Sequence, residues 1–227
     1  MLHGATVIIS SAEDSRFRGA FHCALPKGTA VDENRTELFT EQSYEDRHFA
    51  SLSCQDAEFT DIEFFQCRFD GCQFLRTTFR QCRFEECVFE KCDLSLLKVP
   101  ESSFIGVRFL HAKVLGIDWT QATTPLTLAF QGSNVSHSMF VWLSLQRMEM
   151  VECVAREVDF TGTNLTRANL AKTDFLGSRF LDTNLSYADF SKAGNYAIDP
   201  RANRLKKTVF SMPEAMSLLS TFDIILK

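Results

Sequence analysis

From Phe49 onward an apolar residue returns at every fifth position. The run is Phe49, Cys54, Phe59, Phe64, Phe69, Phe74, Phe79, Phe84, Phe89, Leu94, Val99, Phe104, Phe109, Val114 and Trp119. The phase slips by one residue across "TQATTPLTLA" (120–129) and resumes at Phe130. It continues through Val135, Phe140, Leu145, Met150, Ala155, Phe160, Leu165, Leu170, Phe175, Phe180, Leu185 and Phe190. A helix repeats its buried face every 3.6 residues and a strand every 2, so a period of five is neither. Two places before each centre stands a second, smaller residue. It is Cys67, Cys72, Thr77, Cys82, Cys87 and Cys92 in the middle of the chain, and Thr163, Ala168, Thr173 and Ser178 later. The other three places of each five are mostly polar or charged. One large and one small residue facing inward, unit after unit, describes a solenoid whose units cannot bury their apolar side chains alone.

The stretch "TNLTRANLAKTDFLGSRFLDTNLSYADF" (163–190) repeats A-(D/N)-L/F-x-x almost unit by unit. In this the chain resembles the pentapeptide-repeat proteins, over about residues 45–195. The resemblance implies an all-β, right-handed quadrilateral β-helix with five residues per side and four sides per coil. Coils rise about 4.8 Å each, as neighbouring strands do, so residues twenty apart stack. The expected core stack includes Phe69, Phe79, Phe89, Phe109, Phe160 and Phe180. The division that follows is an N-terminal extension or cap over 1–43, a β-helix over 44–196 with a slip at 120–129, and a C-terminal module over 197–227. Within 1–43 the candidates are one short strand, "TVIIS", and an incidental His22–Cys23 pair.

The C-terminal stretch predicts a short helix. Ser211 and Glu214 have the spacing of a capping box, Pro213 is tolerated in a first turn, and Met212, Ala215, Met216 and Leu219 recur at helical spacing. "FDIIL" follows as a strand-like apolar tail. The ending "I-D-P…N…P-E-A…LL…I-I-L" resembles the tails of the McbG, Qnr and MfpA group, and the resemblance implies an end-to-end homodimer. The expected interface is Phe210, Met212, Met216, Leu219, Phe222, Ile224 and Ile225.

Composition narrows the function. Phenylalanine, at 22 residues against 3 Tyr and 2 Trp, is the standard core part. The eight cysteines are most often five apart, not the two to four of zinc modules, and no export signal precedes them. They are read as reduced thiols of a cytoplasmic protein that fill space beside each Phe, with no metal and no cofactor. No 18-residue apolar run exists, so no membrane span is expected. None of the five histidines sits in a nucleophile or metal motif, so no catalytic residue is assigned and the chain is read as no enzyme.

A formal net charge of −5 disfavours direct nucleic-acid binding. Acids outnumber bases thirteen to nine over 45–119 and eight to six over 120–199, a thin excess that composition alone reads as a solvated face. The resemblance goes further. Qnr, MfpA, McbG and AlbG act on bacterial type II topoisomerases as rods that imitate DNA. The implied partner is DNA gyrase or topoisomerase IV, and the implied role is protection from a quinolone-, microcin- or albicidin-type poison. The expected acidic surface is Glu58, Glu63, Glu85 and Glu86. The alternative is a scaffold rod with another protein partner.

Overall fold

Each five-residue unit folds as a short extended stretch and a corner. Residues 39–222 and 224 are described, from a computed structural model. In the unit 62–66, Ile62 and Phe64 point inward and are buried, while Glu63 and Gln66 are exposed. Gln66 turns the chain with φ 52°. The same left-handed corner recurs at five-residue intervals along most of the rod, from Asp46 to Lys207. That conformation costs a non-glycine residue about 1–2 kcal/mol. The corner N–H offsets the cost by donating to a carbonyl of the next coil: Gln66 to Glu85, Arg76 to Ser95 and Arg147 to Thr166, each at 2.9 Å.

Four sides close one coil, and coils pair in parallel with a register of twenty. Side 2 runs Phe49, Phe69, Phe89 and Phe109. It continues through Phe130, Met150, Leu170, Phe190 and Phe210, giving nine rungs and a rod about 38 Å long. Side 1 begins with Tyr44, Phe64, Phe84 and Phe104. Side 3 carries Phe74, Leu94 and Val114, and side 4 carries Phe59, Phe79, Trp119, Phe140 and Phe160. The architecture is therefore an all-β quadrilateral solenoid.

The expected core stack is in place. Phe69 and Phe89 lie 4.5 Å apart and 6° from parallel, and Phe160 and Phe180 lie 5.1 Å apart. Across a corner the rings meet edge to face, as Phe79 and Phe84 do at 5.0 Å and 80°. Both arrangements suit the ring quadrupole, and each buried Phe adds about 2–3 kcal/mol of apolar burial before entropy.

The small inward residue does more than fill space. Its thiol or hydroxyl donates to the backbone carbonyl 23 or 24 residues earlier. Cys67 reaches Tyr44 O at 3.3 Å, Cys87 reaches Phe64 O at 3.3 Å, and Cys92 reaches Phe69 O at 3.4 Å. Ser102 reaches Phe79 O at 2.9 Å, Ser133 reaches Phe109 O at 3.1 Å, and Thr163 reaches Phe140 O at 2.7 Å. These bonds stitch coil to coil inside the core, where an unpartnered carbonyl would be costly.

At the slip the register changes from 20 to 21: Phe84 pairs with Phe104, but Phe109 pairs with Phe130. The extra residue is absorbed on side 1 after a 3₁₀ turn over Trp119–Gln121, whose Thr120 N–H donates to the Asp118 carboxylate. Counting forward from Trp119 assigns the centre to Thr124, and counting back from Phe130 assigns it to Pro125. The buried residue is Leu126, and both of those are exposed.

Phe39 plugs the first coil, with its ring edge-on to Phe49, Phe59 and Phe64 at 4.9–5.4 Å. "TVIIS", His22 and Cys23 lie outside the described residues. At the other end the coil pattern runs past Tyr196, since Ala197–Ile198 pairs with Arg179–Phe180 and Val209–Phe210 with Asp189–Phe190. The tail helix is a 3₁₀ helix, Glu214–Thr221, and the capping box does not form. Ser211 Oγ instead accepts the Lys192 N–H at 3.0 Å, so its hydroxyl anchors the tail to the previous coil. No helix among the described residues is long and apolar enough to cross a membrane.

Candidate partner-binding face

Because side chains stack every twenty residues, charges scattered in sequence gather in columns. On the first four rungs of side 1 and the corners that bound it stand Glu41, Glu45, Asp46, Asp61, Glu63, Glu85, Glu86 and Glu101, all at least partly exposed. The one base among them is Arg83, in an ion pair with Glu85 at 2.7 Å. Glu86 lies over Gly106, where any Cβ would overlap its carboxylate. Four rungs span roughly 14 Å, so the face carries roughly one net negative charge per 2 Å, against about 1.7 Å in duplex DNA.

The other sides neutralise themselves. Asp56 pairs with Arg76 at 2.6 Å, Glu58 with Arg80 at 3.0 Å and Asp93 with Lys113 at 3.4 Å, while Arg68 pairs with Glu90. Of the four acids expected from sequence, the fold brings Glu63, Glu85 and Glu86 together. Glu58 stands on side 4, paired with Arg80. Asp46, Asp61 and Glu101 join the face without having been expected there. Their signal is the twenty-residue count: Asp46 and Glu86 lie two coils apart on one corner, Asp61 and Glu101 two coils apart on another.

The end of the rod is apolar. Val209, Met212, Met216, Phe222 and Ile224 are exposed large apolar residues, with Met212 at 70%. Phe210 is half-buried against Phe190, and Leu219 is half-buried. Leu218 packs onto the core from the inner face of the tail. Ile225 lies outside the described residues.

Cys54, Cys67, Cys72, Cys82, Cys87, Cys92 and Cys153 are buried thiols that form no disulfide among the described residues. Burial pushes Cys82 and Cys153 up to about 11. In the unfolded chain a thiol ionises near about 8.5. Between those values the folded state holds more protons than the unfolded one, so stability falls as pH rises. We expect the unfolding free energy from urea titration to fall from about pH 8.5 upward, and the double variant Cys82→Ser/Cys153→Ser to remove about 3 kcal/mol per thiol of that fall at pH 11. An equal slope in the variant would assign it to other groups. Among the described residues no group of three His, Cys, Asp or Glu side chains is placed to hold a metal ion.

Comparison with known proteins agrees with this architecture. The family described as "Pentapeptide repeat region" matches residues 62–140, and "Pentapeptide repeats (8 copies)" matches residues 163–193. No curated protein matches by sequence. Among solved structures, full-length QnrB1, a plasmid-mediated fluoroquinolone resistance protein, superposes with a TM-score of 0.61 at 18% identity. That match covers 78% of this chain and 100% of that one. A trypsin-treated, singly substituted form of QnrB1 gives 0.51 at 20% identity, over 78% and 99%. At such identities the likeness is one of fold.

Proposed function

Because the chain is a pentapeptide-repeat protein whose rod resembles that of QnrB1, we propose that it is a non-catalytic rod that occupies the DNA-binding groove of a type II topoisomerase. The partner is DNA gyrase or topoisomerase IV, and the consequence is shielding from a poison of the quinolone, microcin or albicidin type. The observation that carries the reading is the acidic run on the first four rungs of side 1. A basic groove built for an array of phosphates gains affinity from any rigid array of like charge, and this one offers no bond to cleave. The test is supercoiling by purified gyrase, with and without a quinolone, at low salt. Restored supercoiling or reduced drug-induced cleavage supports the reading, and no effect on either enzyme removes it. A scaffold rod is the second reading, favoured by the self-neutralised sides 2 to 4, and the same assay separates the two.

The reading includes a homodimer joined tail to tail through the apolar end. A symmetric pair buries the same patch twice and doubles the length of the rod. Met212→Glu with Met216→Glu should convert a sedimenting dimer to a monomer and leave the melting of the rod in place, because both side chains are exposed in the single chain. A native chain that sediments as a monomer at micromolar concentration would exclude this arrangement.

A further inference from the structure

The corner that carries Asp46 and Glu86 changes sign along the rod. Beyond the slip the same column holds Arg147, Arg167, Tyr187 and Lys207, one per coil. The corner amides of Arg147, Arg167 and Tyr187 donate to Thr166, Ser186 and Lys206 of the coil above, at 2.8–2.9 Å. The Tyr187 ring is 41% exposed. Three cations surround it: the Arg167 guanidinium at 5.8 Å from the ring centroid, Lys207 at 5.9 Å and Lys206 at 6.0 Å. Elsewhere the rod matches a base to an acid on the next coil, as in Lys172 with Glu152 and Arg156 with Asp174. Among the described residues no ion pair takes Arg147, Arg167, Lys206 or Lys207. Stacking Arg147 directly beneath Arg167 at coil spacing is repulsive, so the column does not serve the rod's own stability.

We propose that this corner is a binding site for a short acidic peptide segment of another protein, laid along the rod axis. Arg147 to Lys207 spans three coil steps, about 14 Å, which is the length of about four extended residues. The guanidinium and ammonium groups donate to side-chain carboxylates, and the Tyr187 ring holds the cations in place by its π-face. Nucleic acid fits this corner less well. The cations already lie over the ring that a base would stack on. A duplex would also extend beyond the patch onto the acidic coils of the same corner, where its phosphates are repelled. This site is independent of the topoisomerase reading, since it uses the opposite charge on other coils.

The test is fluorescence anisotropy of a labelled hexaglutamate peptide titrated with the full chain at low salt. A labelled 20-base-pair DNA duplex and hexalysine serve as comparisons. Saturable binding of hexaglutamate is expected, weakened at least tenfold by Arg167→Ala with Lys207→Ala. It should be unchanged by Arg76→Ala with Lys113→Ala, whose cations are already paired. Thermal melting of both variants should match the native chain. No binding of hexaglutamate would overturn the proposal. So would equal loss in the two double variants, or DNA binding tighter than peptide binding and lost with Arg167 and Lys207. Salt-sensitive self-association lost with the same pair would overturn it as well, by assigning the column to a second copy.

Discussion

Phe79→Asp should abolish cooperative folding of the rod. Phe79 is fully buried, stacked on Phe59 at 5.4 Å and edge-on to Phe84 at 5.0 Å and Phe74 at 5.6 Å. Removing a buried Phe costs about 3–5 kcal/mol by itself. An unpaired carboxylate in the same place adds a desolvation cost of several kcal/mol. The sum rivals the roughly 5–15 kcal/mol that holds a whole domain together. Each rung is also the template for the next, so a gap at one coil is felt by both neighbours. Circular dichroism with urea titration should show no native-like transition. Thr60→Asp, an exposed site next to Phe59, should shift stability by no more than about 0.5 kcal/mol. A native melting curve for the Phe79 variant would mean that the ring is not a core element.

The second large effect concerns the acidic face. Changing Glu63, Glu85 and Glu86 to Lys should leave the rod folded, because exposed charges contribute little to stability. It should weaken the proposed binding to gyrase on the order of 100-fold at low salt, by replacing attraction with repulsion at the contact. Glu58→Lys supplies the internal comparison. Glu58 lies on side 4 and is neutralised by Arg80, so its reversal should change binding little. Surface plasmon resonance across a salt series reads both outcomes, and native binding should fade with rising salt. Equal effects of the two changes would show that net charge, and not side 1, governs the contact.

How much of this is legible in the sequence differs by element. The five-residue phase places every core centre from Phe49 to Trp119 and from Phe130 to Phe190, because each central slot admits only an apolar residue. Cysteine reads from the sequence as a small hydrophobe. The pattern of volumes cannot reveal that the thiol also bonds the carbonyl 23 residues back, which depends on where the carbonyl points. The capping box fails for a related reason. Ser211 and Glu214 have the right spacing, but the Lys192 N–H at the open edge of the last coil competes for the same hydroxyl and wins. Glu58 groups with Glu63 in the sequence because they are neighbours along the chain, although a corner at Asp61 turns them onto different sides. Charge on a solenoid has to be counted modulo twenty, whereas a linear reading groups only neighbours along the chain.

That register has a consequence for how such a rod varies in length. Removing five residues would preserve the inward pattern yet rotate everything downstream by a quarter turn, carrying the Arg147 column off the edge it shares with Glu86. Only whole coils of twenty can be gained or lost with both signs of charge kept in line. The odd residue near Pro125 is compatible with this alignment because it is absorbed within one side, and Phe130 still lands on Phe109. Duplication of entire coils is therefore the mutation that lengthens this molecule, in steps of about 4.8 Å, while its edges stay true.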